Sequence, residues 1–178
     1  TGPAFSGNPF GLTGVGRSVQ FQNGSSAFFN SGGDPFGQAS PNGIVSFDFN
    51  STETFSALSA FSYDGRTYGN LVLGGGVTYA PSASNPLEVF GDLTIDPSTT
   101  FTLPNTSGAL LSLSKNFTDN GTFNSNGQIV TFNGSSLLGG AVQTVTKSAG
   151  AETFGQVSIG KTEGAVRLGS EMTINGLL

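Results

Sequence analysis

The sequence predicts an all-β chain folded as a right-handed parallel β-helix, a β-solenoid with coils of about 22 residues; an antiparallel β-sandwich is the alternative. Three observations predict it. The stretch Asn116 to Ser136 holds apolar-alternating chain and three Asn-Gly pairs in NFTDNGTFNSNGQIVTFNGSS, with no helix-forming run. Such pairs enter positive-φ turns at little steric cost. Apolar residues two apart recur along the chain: Leu71/Leu73, Val77/Tyr79, Leu87/Val89, Leu93/Ile95, Phe101/Leu103, Leu111/Leu113, Val157/Ile159 and Val166/Leu168. Each pair would turn two side chains inward and one outward, the period of a half-buried strand. Finally, Leu71 to Leu93, Leu93 to Phe117 and Val157 to Leu178 are steps of about 22 residues, room for three short strands and their corners.

In chain order, residues 1–42 read as an irregular N-terminal lead-in or cap with a first coil. Thr1 to Gly16 has no sustained periodicity, whereas Val19-Gln20-Phe21 and Asn23-Gly24-Ser25-Ser26 resemble Val130-Thr131-Phe132 and Asn133-Gly134-Ser135-Ser136. A Gly32 to Gln38 loop and a Pro41-Asn42-Gly43 turn follow. Residues 43–128 form a first long repeat unit and 129–178 a second, truncated one. Three blocks carry this division at an offset of about 85 residues. Val45-Ser46-Phe47 matches Val130-Thr131-Phe132, Thr67 to Leu73 matches Thr153 to Ile159, and Leu87, Val89, Gly91 and Leu93 match Met172, Ile174, Gly176 and Leu178. A sandwich would not require such steps. No helix is expected; Ala57 to Phe61 is the nearest candidate and is short. The run Thr173 to Leu178 reads as the start of a further strand, so the chain is expected to be a piece of a longer protein.

Composition narrows the chemistry. Charged residues are 10% of the 178, against roughly 25% in typical globular proteins. Gly, at 28, is in excess without a collagen period, and 35% hydrophobic content with 16 Phe is too apolar for a disordered chain. Cys, His and Trp are absent, which removes thiolate nucleophiles, imidazole bases, zinc fingers and Ser-His-Asp triads. Six basic residues against 11 acidic ones, without runs, argue against nucleic acid or an anionic membrane as partner. No apolar run is long enough for a membrane helix.

Candidate sites are few. Calcium is conceivable at Asp92 and Asp96, in Asp92-Leu93-Thr94-Ile95-Asp96, or near Asp119, because hard cations take carboxylate and carbonyl oxygens; no other cofactor is expected. Neither place carries the Asp-rich loop of an EF-hand. Polysaccharide lyases and hydrolases on β-helices need clustered carboxylates, or carboxylates beside Lys or Arg, on one outer face. Here Asp64 sits beside Arg66, while Asp34, Asp48, Glu88, Glu152, Glu163 and Glu171 fall singly. No catalytic residues are therefore assigned. Thr144-Val145-Thr146 is the unit an ice-binding solenoid face would repeat, but the sequence holds no regular rows of it. The six Asn-x-Ser/Thr triplets are by-products of Asn-Gly turns unless the chain passes through a eukaryotic secretory pathway.

Lys115 to Phe123, Ile129 to Gly134 and Val166 to Gly176 (VRLGSEMTING) resemble, in content and order, the repeats of very large Bacteroidetes cell-surface proteins with β-helical shafts. The resemblance covers about residues 43 to 178. It implies export, often by the type IX system, an extracellular or cell-surface location, and a non-catalytic role as an adhesin or filament, gliding adhesins included. The implied partners are surface proteins or polysaccharides, or further copies and repeats of the chain itself. The alternatives are a carbohydrate-active or carbohydrate-binding β-helix and, after it, an ice-binding solenoid.

Overall fold

The computed structural model describes residues 19–36, 45–58 and 60–176. Among them are nineteen short strands and one 3-10 turn, Ser136–Leu138. Every strand pairing is parallel, so the antiparallel sandwich is ruled out and the chain is a parallel β-solenoid. The physical reason lies in the steps read from sequence. Leu71 pairs with Leu93 and Leu93 with Phe117, so the chain returns to each face only after a full coil, and successive passes run the same way.

Three faces result. The longest carries Ser26–Phe29, Thr52–Ser56, Asn70–Gly74, Leu93–Ile95, Phe117–Asp119, Val142–Lys147 and Ala165–Leu168 in sequence order. A second carries Thr67–Tyr68, Leu87–Val89, Leu111–Leu113, Ile129–Phe132 and Gln156–Ile159, with the pair Val19–Phe21 and Val45–Phe47 beside its first strand. The third carries Thr78–Tyr79, Thr100–Thr102 and Thr122–Asn124, with the pair Glu152–Phe154 and Met172–Ile174 beside its last.

Alternation fills the interior. Leu71, Leu73, Leu87, Val89, Leu93, Ile95, Phe101, Leu111, Leu113, Phe117, Val130, Phe132, Val145 and Phe154 have no exposed surface. Side chains stack on their register partners: Phe21 on Phe47 at 5.1 Å and Phe29 on Phe55 at 5.4 Å, both pairs nearly parallel. Among the described residues of Ala57 to Phe61 there is no helix. Ala57 takes a φ of 62°, and Leu58 and Phe61 drop into the core, where the Phe61 ring meets Phe55, Tyr79 and Phe101.

Two of the expected interior pairs are only half interior. Val157 and Val166 are partly buried, but Ile159 is 62% and Leu168 50% exposed, because no strand among the described residues pairs beyond theirs. The Asn-Gly turns also divide. Asn126 and Gly127 take φ of 51° and 77°, the left-handed conformation expected of them. At Gly121 the demand is space, since a Cβ would lie 2.2 Å from the Thr99 carbonyl oxygen and 2.6 Å from that of Asp96.

Of the blocks matched at the long offset, Val45–Phe47 and Val130–Phe132 lie on the same side of the coil. Thr67–Tyr68 and Glu152–Phe154 do not, nor do Leu87–Val89 and Met172–Ile174. Pairing continues across residue 129, from Leu111–Leu113 through Ile129–Phe132 to Gln156–Ile159. The Thr1 to Gly16 lead-in, the Pro41-Asn42-Gly43 turn and Leu178 lie outside the described residues.

The burial difference sets a test of the stacking. Leu93→Ala opens a cavity between two coils and should cost about 2–5 kcal/mol. Leu168→Ala, half-exposed, should cost under about 1 kcal/mol. Urea denaturation of both variants measures the contrast.

Candidate functional site

The polar groups that could carry chemistry sit at the corners of the coil. Before the longest face runs a ladder of amide and carboxylate side chains, each one coil from the next. Asn70 accepts from the Asp92 backbone N–H at 2.9 Å and donates its amide to the Ser51 carbonyl at 3.0 Å. Asp92 Oδ1 accepts from both the backbone N–H and the side-chain amide of Asn116, at 3.0 and 2.9 Å. Asn116 Oδ1 in turn accepts from the Thr144 backbone N–H at 2.8 Å. The corner residues come into line because the strands behind them are in register: Asn70, Leu71 and Val72 precede the same inward turn as Asp92, Leu93 and Thr94. Asp92 is thus a rung of the ladder.

A second ladder runs at the same corner, farther along the stack. Gln143 is buried; its amide donates to the carbonyls of Leu113 and Lys115, both at 2.8 Å, and its Oε1 accepts from Gly134 N–H at 2.8 Å. Lys161 reaches down one coil and donates to the carbonyls of Gly134 and Gly140 and to Gln143 Oε1, at 2.6, 2.8 and 3.0 Å. Partial burial lowers its pKa, while three oxygen acceptors hold its ammonium in place.

At the far end of that face the interior itself becomes charged. One inward column reads Phe29, Phe55, Leu73, Ile95, Asp119, Lys147. Asp119 is fully buried. Lys147 Nζ is in direct contact with Asp119 Oδ2, also donates to the Gly121 carbonyl at 3.1 Å, and lies 3.9 Å from Oε2 of Glu152. Asp119 Oδ1 accepts from Gly121 N–H at 2.8 Å. Glu152, 1% exposed, enters from the next corner; its Oε1 accepts from Thr153 N–H at 3.0 Å, and its Oε2 has no hydrogen-bond partner. Burial, reinforced by the negative charge of Asp119 alongside it, pushes Glu152 up to about 8, with Lys147 opposing the rise. Phe117 and Phe154, two residues from Asp119 and Glu152 on the same inward sides of their strands, pack ring to ring at 5.8 Å.

Two further ionisable residues lie inside. Glu53 replaces a hydrophobe in the column Ala27, Glu53, Leu71, Leu93, Phe117, Val145, Leu168. It is fully buried, and neither carboxylate oxygen has a partner at ordinary hydrogen-bond geometry. Burial raises it to about 8, the nearby Ser51 hydroxyl opposing. Arg66, also buried, donates to Ser62 Oγ at 3.1 and 2.9 Å and lies over the rings of Phe36 and Phe47. Its sequence neighbour Asp64 is exposed and instead caps the 84–85 turn, accepting both backbone N–H groups at 2.8 Å.

The three calcium candidates are therefore placed apart in role. Asp92 serves the ladder, Asp96 lies at the corner beside Gly74, where a Cβ on that glycine would come within 2.6 Å of its Oδ2, and Asp119 holds Lys147. Among the described residues no three His, Cys, Asp or Glu side chains converge to hold a metal. Sequence reasoning passed over Lys147, Glu53 and the pairing of Glu152 with Asp119. The signal was present: in Phe117-Thr118-Asp119, Val145-Thr146-Lys147 and Glu152-Thr153-Phe154 the ionisable residue occupies the same parity as the apolar one, which turns it inward. Threonine columns were also hidden. Thr94, Thr118 and Thr146 face outward in register, as do Thr78, Thr100 and Thr122.

Fold and site together define a parallel β-solenoid whose interior polar groups tie each coil to its neighbours. Compared with protein-family models, with curated proteins and with solved structures, the chain finds no match in any of the three. No helix among the described residues is long and apolar enough to cross a membrane.

The buried Glu53 sets the sign of a pH effect. Its carboxyl ionises near the usual carboxylate value in the unfolded chain but only near 8 when folded. Between those values the folded state holds the extra proton, so stability falls as pH rises through the window. Glu53→Leu, matching Leu71 and Leu93 in its column, removes that dependence. The variant's stability gain over the parent should be about 1–3 kcal/mol larger at pH 8 than at pH 5, as read from denaturation curves at both values. An equal gain at both would mean that Glu53 is ionised in the fold.

Proposed function

We propose that this chain is a segment of the shaft of an extracellular structural or adhesive protein, of the kind that the repeats of large Bacteroidetes surface proteins suggest. The observation that carries the reading is the use made of the polar interior. The Asn70–Asp92–Asn116–Thr144 ladder, the Gln143–Lys161 contacts and the Asp119–Lys147 pair each join one coil to the next. That is the chemistry of a rod that must hold its register under load, since stability in a stacked fold comes from neighbouring units. Successive coils lengthen such a rod without needing a reactive groove.

The carbohydrate-active alternative draws on Glu152 and Asp119, a carboxyl pair with one member raised in pKa. A hydrolase or lyase needs such a pair open to a sugar, and these carboxyls are 1% and 0% exposed. The threonine columns give the ice-binding alternative an observation of its own, but Val72 interrupts the first column, between Thr54 and Thr94. The shaft reading accounts for both columns as favoured strand residues.

Antibodies raised against this chain should label the outside of intact source cells, and the parent gene should encode further coils of this kind flanking it. Labelling confined to the cytoplasm would overturn the reading. So would polysaccharide cleavage or thermal hysteresis by the purified chain, each of which would install the corresponding alternative.

A further inference from the structure

We propose that Lys147 and Asp119 become joined by an intramolecular isopeptide bond between Nζ and Cγ, with Glu152 carrying the protons, so that two successive coils are covalently locked. The geometry supplies the reactants. Nζ is in direct contact with one oxygen of the Asp119 carboxyl, and the other oxygen is held by Gly121 N–H at 2.8 Å. The Gly121 carbonyl fixes Nζ from a second side at 3.1 Å. The third group is Glu152, whose free Oε2 stands 3.9 Å from Nζ and whose carboxyl adjoins that of Asp119. Both strands are anchored by register pairing two residues away, at Phe117 and Val145.

In water an amine and an acid remain an ammonium and a carboxylate, and the amide does not form. A buried contact makes the neutral pair easier to reach in passing, because the charged forms have already lost their hydration. Asp119 has no exposed surface and Glu152 almost none. Holding the partners in contact replaces a bimolecular encounter by an intramolecular one, worth orders of magnitude in effective concentration. Glu152, raised to about 8, is protonated at neutral pH and suited to general acid-base work.

The steps balance as follows. The Lys147 ammonium passes one proton to the Asp119 carboxylate, giving a neutral amine beside a neutral acid. The nitrogen lone pair adds to Cγ while Glu152 donates its proton to the carbonyl oxygen. Glu152 then removes a proton from the nitrogen and delivers it to one hydroxyl of the adduct. The Cγ–O bond breaks, water departs, and the remaining hydroxyl returns its proton to Glu152 as the carbonyl re-forms. One ammonium and one carboxylate become one amide and one water, with no change of oxidation state and no co-reactant.

The proposal stands on the cluster alone and is independent of the shaft reading, because a covalent lock can form whatever the protein does. Denaturing intact-mass spectrometry of the purified chain tests it directly. The mass should fall short of the sequence mass by one water, and tandem sequencing of a tryptic digest should find one branched peptide joining Lys147 to Asp119, uncleaved after Lys147. Lys147→Arg should carry the full mass. Glu152→Gln, of similar volume and with its fold checked by circular dichroism, should form the bond about 100-fold more slowly or worse. A parent chain at full sequence mass overturns the proposal without reliance on any variant. Water loss mapped elsewhere, to Glu152 or to a succinimide at Asp64-Gly65, overturns it too, and Glu152→Gln bonding at the parent rate removes the role given to Glu152.

Discussion

In a parallel stack every inward side chain rests on its counterpart in the coils before and after, and this superposition governs what the interior can hold. A residue is tolerated only if its register partners suit it, because strands lie about 4.8 Å apart and leave no room for an intervening layer. Hence Phe21 lies on Phe47, Phe29 on Phe55, and Leu71 on Leu93. The column that begins in aromatics passes through Leu73 and Ile95 before it turns ionic, and it turns ionic as a pair, Asp119 against Lys147. Glu53 breaks the rule. Set between Ala27 and Leu71 with no cation in its column, it is held neutral instead.

Buried ion pairs are weak contributors to stability, since desolvation offsets most of the attraction. Their sharper effect here is on register. Side chains in a strand alternate with a period of two, so a slip of one residue would turn Lys147 outward and Thr146 inward. Asp119 would then be left buried without a cation, a far larger cost than the pair's own contribution. The corner ladders act likewise. Asp92 takes both donors of Asn116, and Asn116 takes the Thr144 N–H; a slipped coil would leave several of these groups unpaired at once.

The steps of the coil were legible in the sequence because they depend on local rules. Leu71, Leu93 and Phe117 are register partners as the spacing suggests, and the inward pairs follow from alternation. What depended on side chains and carbonyls of the neighbouring coil was not legible. Asp119 read as a candidate cation ligand because it offers a carboxylate near carbonyl oxygens; its companion in space, Lys147, arrives one coil later. The offset near 85 residues aligned Thr67 to Leu73 with Thr153 to Ile159, yet the chain places these on different faces. Strand phrases of one grammar serve any face of a solenoid, so similarity of text does not fix position in the coil. Gly121 looked like a turn residue, and its true requirement, the nearness of the Thr99 carbonyl, belongs to a different coil.

Register along the longest face joins Thr52 to Asn70, Leu93 to Phe117 and Phe117 to Val145, so successive coils differ markedly in length while their strands stay aligned. The surplus in the longest of them leaves at the corner, where Ser136–Leu138 forms its 3-10 turn and Leu137 is 91% exposed. Closing a somewhat longer loop costs little, since the entropy grows only with the logarithm of its length. Evolution can therefore edit the rim of this molecule freely, lengthening or decorating a corner to meet a new surface, while the columns inside go on recognising one another unchanged.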